Sequence, residues 1–324
     1  MIFLNKLEDI HNTVPTVVML GKFDGLHRGH QTLLRKTVKL AGDDLVPAAF
    51  IFDNSEKMLL TREERLFWLD KYGIKITMEL PLTDEFKSIE PDDFIHEVLI
   101  KRVNAKAVVV GENYRFGRAR KGDAAYLKAE LEKVGVACHV MPIILAEEGD
   151  RVSSSSIRQC LEIGAMEMVN DRLGYFYSLE GKVITGNQLG RQISTPTANI
   201  VPPANKYLPP NGVYATMVKI DNKRYTGMTN IGNKPTVDGK ALMVETHIHN
   251  FKGDIYGKEM RVYFYHYTRP ERKFKSVTEL AQRLVLDKAE TETFFKVNDI
   301  ILNQGDPRKL IRGTVQDMQF HRKR

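Results

Sequence analysis

The hydrophobic pattern of this chain changes period once, near residues 174–180, and that change constrains the fold more than any other feature. Before it, short apolar runs alternate with segments of helical spacing. Thr16 to Leu20, Val46 to Phe52, Ile76 to Leu80, Lys106 to Val110 and Val136 to Ile143 read as strands. Leu33, Leu34 and Val38, then Leu66, Trp68 and Leu69, fall at helical spacing. Thr61-Arg62-Glu63-Glu64 has the form of a capping box, and Pro91-Asp92-Asp93 places proline and acids at a helix start. Residues 124–134 read as a further helix. The hydroxyl run Ser153-Ser154-Ser155-Ser156 signals an N-cap for a helical region reaching about Leu173. Such alternation specifies an α/β domain, a doubly wound parallel sheet covered by helices. Ligands of these sheets sit beyond the carboxyl ends of the strands, at the crossover point.

After Tyr177 the pattern is mostly strands. Ser178 to Ile184, Gly212 to Ile220, Arg224 to Ile231, Leu242 to His249 and Met260 to Tyr267 are rich in Val, Ile, Tyr, Phe and Thr. Asp221-Asn222 suits a tight hairpin turn. Closure into a small antiparallel β-barrel removes exposed edges. Ser276-Val277-Thr278-Glu279 reads as a second capping box, opening a C-terminal helix with Leu280, Leu284 and Ala289 on one side. The expected division is residues 1–174, residues 175–300 and a polar, basic tail over residues 301–324.

Composition excludes several classes. With 42% hydrophobic and 27% charged residues the 324-residue chain is ordinary globular material, not disordered. Its two cysteines, Cys138 and Cys160, show no metal or redox spacing, which fits a reducing, cytoplasmic setting. No run approaches the ~20 apolar residues of a membrane span, and no signal peptide is visible at Met1 to Lys6. A net charge of +7 with scattered basic residues suits a basic enzyme with polyphosphate ligands better than a nucleic-acid protein.

Between the first strand and first helix lies Gly21-Lys22-Phe23-Asp24-Gly25-Leu26-His27-Arg28-Gly29-His30. Glycines allow close approach of backbone to phosphate, and a helix N-terminus offers free amides to an anion. Two histidines around Gly29 can donate to phosphate oxygens as charge develops on pyrophosphate. The string resembles the HxGH nucleotidyltransferases. More narrowly it resembles the FAD-synthesising half of the bifunctional riboflavin kinase/FAD synthetase family of prokaryotes. Gly111-Glu112-Asn113-Tyr114-Arg115-Phe116-Gly117 with Lys121-Gly122-Asp123, and Ser153 to Arg158, look like two more of its segments. The resemblance implies catalytic roles for His27 and His30. It implies phosphate or ATP contacts for Gly21, Phe23, Asp24, Gly25, Gly29, Asn113, Ser154, Ser155 and Arg158. Arg115 and Asp123 are implied on the flavin side. The family's Pro-His-Pro after the second strand is missing: Ser55 stands at the histidine position.

In the second half, Gly186-Asn187-Gln188-Leu189-Gly190-Arg191 leads to Pro196-Thr197-Ala198-Asn199. This resembles the family's riboflavin kinase signature, with Ser194-Thr195 in place of Gly-Phe. Gly186, Gly190 and Arg191 are then ATP contacts. Thr197 and Asn199 point the same way from an extended segment and offer hard oxygen ligands for Mg²⁺. Val244-Glu245-Thr246-His247, ahead of residues 251–258, resembles the segment carrying the general base, Glu245. The expected substrates are riboflavin, FMN and ATP, with FAD as product and Mg²⁺ as cofactor. Neither nucleic acid nor membrane is expected as a partner. Two other readings compete: a kinase whose first domain is only structural, and a non-catalytic flavin- or RNA-binding regulator.

Overall fold

The computed structural model describes residues 1–11, 13–52, 56–185, 196–236 and 239–298. Ser55, Gly186, Gly190, Arg191 and the tail lie outside the described residues. The chain divides into two compact units, Met1–Ser154 and Ser155–Arg324.

The first unit begins with a strand the sequence pattern does not announce, β1 (Ile2–Leu4), which pairs with Ile76 to Met78. Three partly exposed edge residues leave no periodic signal. Then follow β2 (Thr16–Gly21), α1 (Arg28–Ala41), β3 (Val46–Phe52), α2 (Arg62–Lys71), β4 (Ile76–Leu80) and α3 (Asp84–Ser88). Next come α4 (Pro91–Asp93), running into a π-helical stretch Phe94–Arg102, then β5 (Ala105–Gly111), the short β6 (Arg115–Phe116) and β7 (Gly122–Asp123), α5 (Ala124–Lys133) and β8 (Ala137–Met141). The sheet order is β1-β4-β3-β2-β5-β8, and every pairing is parallel.

The chain therefore steps outward from β2 through β3 and β4, then returns to β5 on the other side of β2. The topological switch point is the carboxyl end of β2, where Gly21 stands. Apolar runs along β2, β3 and β5 are buried on both faces, as a covered parallel sheet requires. The capping box forms in full: Thr61 Oγ1 accepts from the Glu64 amide at 3.3 Å, and the Glu64 carboxylate accepts from the Thr61 amide at 2.9 Å.

The second unit opens with helices. The expected single helical region is two, α6 (Ser154–Glu162) and α7 (Met166–Leu173). They break at Gly164, whose φ is +72° and whose missing Cβ leaves room for the Tyr267 ring. The strands are β9 (Ser178–Lys182), β10 (Ala198–Ile200), β11 (Gly212–Ile220), β12 (Lys223–Thr236), β13 (Gly239–Ile248) and β14 (Glu259–Pro270). They order β10-β13-β12-β11-β14-β9, all antiparallel. Ile184 beyond β9 bridges back to Asn199 of β10, so the sheet is nearly closed into a barrel. Asp221 and Asn222 both take positive φ in the hairpin between β11 and β12.

The final helix, α8 (Val277–Val297), packs Phe295 against Tyr265, Ala215 and Met217. Its buried Asp287 binds Arg269 of β14 and Arg283 of its own helix, each Nε at 2.7 Å. The expected second capping box is only half made. Ser276 accepts from the Glu279 amide at 3.1 Å, but the Glu279 carboxylate accepts from the Lys275 amide instead, one residue early.

Candidate active sites

At the switch point the chain must turn sharply from β2 into α1. It does so with positive φ at Phe23 (51°), Gly25 (83°) and Leu26 (39°). Bulky residues rarely adopt this region. Here both are held by burial: Phe23 and Leu26 are almost fully enclosed, and the Phe23 ring lies over Gly21 and edge-on to His30. Asp24 is buried too. Its carboxylate accepts from the Leu59 amide at 2.8 Å, and its carbonyl accepts from the Ser154 hydroxyl at 2.7 Å. Asp24 thus ties the turn to two distant segments.

His27 is the N-cap of α1. Its Nδ1 accepts from the His30 amide at 3.3 Å, so the neutral ring carries its proton on Nε2. The two imidazoles stack, centroids 3.6 Å apart. A Cβ on Gly29 would come within 3.2 Å of the His27 ring, which explains the glycine between them. Burial, then the Arg151 charge, pushes His27 down to about 3. Burial, His27 and Arg65 hold His30 well below the usual histidine value. Both rings are therefore neutral N–H donors at pH 7, set at a helix N-terminus.

The other segments are placed as follows. Asn113 follows β5 on the exposed side. Arg115 and Asp123 face each other across the β6–β7 pair, 3.9 Å apart. Asp123 is also the N-cap of α5, accepting from the Tyr126 amide at 2.8 Å. Ser155 and Arg158 belong to α6, and the Arg158 guanidinium lies 5.6 Å from the Tyr207 ring centre.

In the second unit β10 lies against β13 with Asn199 opposite Glu245. Thr197, two residues earlier, shares that face and donates to Glu245 Oε1 at 2.7 Å. Asn199 is buried and Glu245 half-buried. A cavity of about 250 Å³ is walled by Thr197 and Asn199 on one side and by Lys252, Asp254 and Tyr256 of the next loop on the other. Glu245 meets it through Thr197. The hydroxyl gives its proton to the carboxylate and keeps its lone pairs for a cation. With the Asn199 amide this donor set suits a hard ion such as Mg²⁺.

The sequence assigns no role to two contributing residues, His247 of the Glu245 segment and Arg65, which stands in no motif. His247 Nδ1 donates to the Pro196 carbonyl at 2.9 Å and so braces the strand end that holds Thr197. Arg65 lies buried behind the Gly21–His30 turn. Its only signal in the sequence is a charge at helical spacing from Trp68 and Leu69.

Comparisons with known proteins match both halves of the chain. A riboflavin kinase family model matches residues 173–295, and an FAD synthetase model matches residues 9–156. The bifunctional riboflavin kinase/FMN adenylyltransferase of Buchnera aphidicola is 30% identical, over 87% of this chain and 95% of that protein. Those of Listeria monocytogenes and Escherichia coli are 31% and 30% identical, each over 86% of this chain and 92% of theirs. A crystal structure described as a macrolide-efflux protein from Streptococcus pneumoniae shares the fold, with a TM-score of 0.80 and 32% identity over 90% of this chain and 98% of that one. Among the described residues no helix is long and apolar enough to cross a membrane. By the length and identity of these matches, the chain belongs to the bifunctional riboflavin kinase/FMN adenylyltransferase family.

Proposed function

We propose that this protein phosphorylates riboflavin to FMN and adenylylates FMN to FAD, with ATP as donor in both steps. The reading is carried by two chemically different phosphate sites in one chain: neutral histidines at a helix N-terminus, and a carboxylate beside two hard oxygen ligands. The two activities divide between residues 1–174 and 175–300, and both run in the cytoplasm, a setting that two buried cysteines outside any disulfide suit.

In the kinase reaction Glu245 takes the proton of the riboflavin 5′-hydroxyl as its oxygen attacks the γ-phosphorus, and the bond from that phosphorus to the bridging oxygen breaks to release ADP. The Thr197 hydroxyl orients that carboxylate. Thr197 and Asn199 would hold Mg²⁺, which when bound with ATP neutralises phosphate charge. Gly186, Gly190 and Arg191 contact the nucleotide.

In the adenylyl reaction a phosphate oxygen of FMN attacks the α-phosphorus of ATP, and pyrophosphate leaves. His27 and His30 donate to the departing pyrophosphate. Gly21, Gly25 and Gly29 let the phosphates approach the backbone, while Phe23 and Asp24 fix the turn. Asn113, Arg115 and Asp123 serve the nucleotide and flavin, and Ser154, Ser155 and Arg158 hold phosphates.

The test is one incubation with riboflavin, ATP and Mg²⁺, resolved by chromatography. FAD supports the reading. FMN alone would make the first unit a structural appendage, and neither product would leave a flavin- or RNA-binding regulator.

A further inference from the structure

Arg65 is the largest fully buried side chain of the first unit, and no motif contains it. It projects from α2 beneath the turn that follows β2. Its Nη1 donates to the Lys22 carbonyl at 3.1 Å, and its Nη2 lies 3.0 Å from Glu79 Oε2 of β4. The other Glu79 oxygen accepts from Arg62 Nε at 2.8 Å. Lys22 sits between Gly21 and Phe23, at the start of the strained run that sets His27 and His30.

A buried ion pair is a weak stabiliser. Well-packed apolar residues of similar volume often replace one at no loss. An enclosed guanidinium also cannot give up its proton. Such a charge, bonded to the backbone of a phosphate-binding turn, does two things an apolar residue cannot. It fixes a carbonyl in one orientation. It also supplies positive potential close to the histidine pair, which itself stays neutral. The charge is near enough to act on His30, alongside His27, while Arg151 acts on His27. A polyphosphate arriving at the helix N-terminus then meets fixed positive charge without a proton having to be taken up first.

We propose that Arg65 is a positioning residue of the adenylyl-transfer site: it locks the Lys22 carbonyl, and with it the turn to His27, and backs the histidines with a permanent charge for the pyrophosphate leaving group. The proposal rests on the reading that His27 and His30 serve that leaving group. It predicts a loss of kcat with the KM for FMN spared, because the residues proposed for the flavin, Arg115 and Asp123, lie on the β6–β7 pair, whereas the ATP phosphates rest on the turn itself.

The experiment uses the full chain. Arg65→Met is made together with Glu79→Gln, so that no lone charge is left buried, and Arg65→Lys and His30→Ala are made separately. Steady-state FMN adenylylation, riboflavin phosphorylation and thermal unfolding are measured on each. A displaced turn costs on the order of 100-fold. The double variant should therefore lose roughly 10–100-fold in adenylylation kcat with the KM for FMN little changed and riboflavin phosphorylation intact. Arg65→Lys, which keeps the charge but not the two-ended fork, should fall between wild type and the double variant.

A folded double variant with wild-type kcat overturns the proposal, as does a loss shared equally by both activities. If the double variant does not fold, Arg65→Lys decides: wild-type kcat overturns the proposal, and a reduced kcat at unchanged KM for FMN supports it. His30→Ala separates the two levels. Full adenylylation in that variant sinks the histidine reading itself, whereas its loss alongside an unaffected Arg65 series sinks only the role of Arg65.

Discussion

The two proposed sites take the same nucleotide with almost no chemistry in common. The first sits on the turn from a central strand to a helix and offers neutral N–H donors. The second sits between two barrel strands and offers a carboxylate with a hydroxyl and an amide. The difference follows the nucleophile. The phosphate of FMN is already an anion at pH 7, so adenylyl transfer needs help only at the leaving pyrophosphate. The riboflavin hydroxyl is far too weak an acid to ionise unaided, so phosphorylation needs a base. A buried His27 and a half-buried His30, both kept neutral, suit the first task, and Glu245 in register with Asn199 suits the second.

Glu245→Gln breaks the comparison most sharply. Gln keeps the size of Glu but cannot take the proton. Riboflavin phosphorylation should fall ~100–10,000-fold while FMN adenylylation is unchanged. Paired assays on one preparation check this, and phosphorylation near the wild-type rate would leave the kinase base unassigned. His30→Ala is the converse. Losing one preorganised donor should cost adenylylation ~100–1,000-fold and spare phosphorylation. Equal loss of both activities in a folded protein would mean the two sites are not chemically separate.

Acid sharpens the comparison through stability. His27 stays neutral in the folded chain down to about pH 3, whereas in the unfolded chain it takes up a proton below its ordinary 6.5. The unfolded state therefore binds the extra proton between those values. Stability is complete above 6.5 and lost as pH falls, by about 1.4 kcal/mol per pH unit for each such ring. His30 adds to the slope in the first unit. In the second, burial with His247 and Lys288 pushes His249 down to about 4 and works in the same direction. Urea unfolding at pH 7 and pH 5 should show the loss, and His27→Gln should flatten the slope.

The smallest effect concerns helix starts. Thr61→Ala removes one side of a complete capping box and should cost about 1 kcal/mol. Ser276→Ala, at the half-made box, should cost about 0.5 kcal/mol, at the low end of the same range. Equal losses by thermal unfolding would show that completing the box does not strengthen the Thr61 hydroxyl bond.

Most of the architecture was legible because burial imposes a period. The β3 and β4 boundaries match the apolar runs to the residue, and the change near 177 marks where parallel strands give way to antiparallel ones. The Gly21–His30 turn was legible because its residue types are demanded by backbone geometry at one place in the sheet. Glu245 and Thr197 lie 48 residues apart, and only the motifs around each linked them. What could not be read rests on pairing that leaves no local trace. β1 is too short, the α6–α7 break is set by the Tyr267 ring, and Arg65 looks like one more charge on a surface helix until β4 supplies Glu79.

Strand β10 is three residues long, yet it carries Asn199, one of the two oxygen ligands proposed for the kinase, and also the bridge from Ile184 that nearly closes the barrel. Asn199 pairs with Glu245 of β13, 46 residues later in the chain with β11 and β12 between, so the strand's few backbone bonds close a long stretch of chain. Short, long-range pairings are the first to open in local fluctuations. Amides of Ala198 and Ile200 should therefore exchange with deuterium well before those of the nine-residue β11, which is flanked by strands on both sides. If Thr197 and Asn199 take the nucleotide as proposed, strand pairing at β10 and nucleotide binding are linked, and ATP at concentration c should slow exchange there by RT ln(1 + c/Kd).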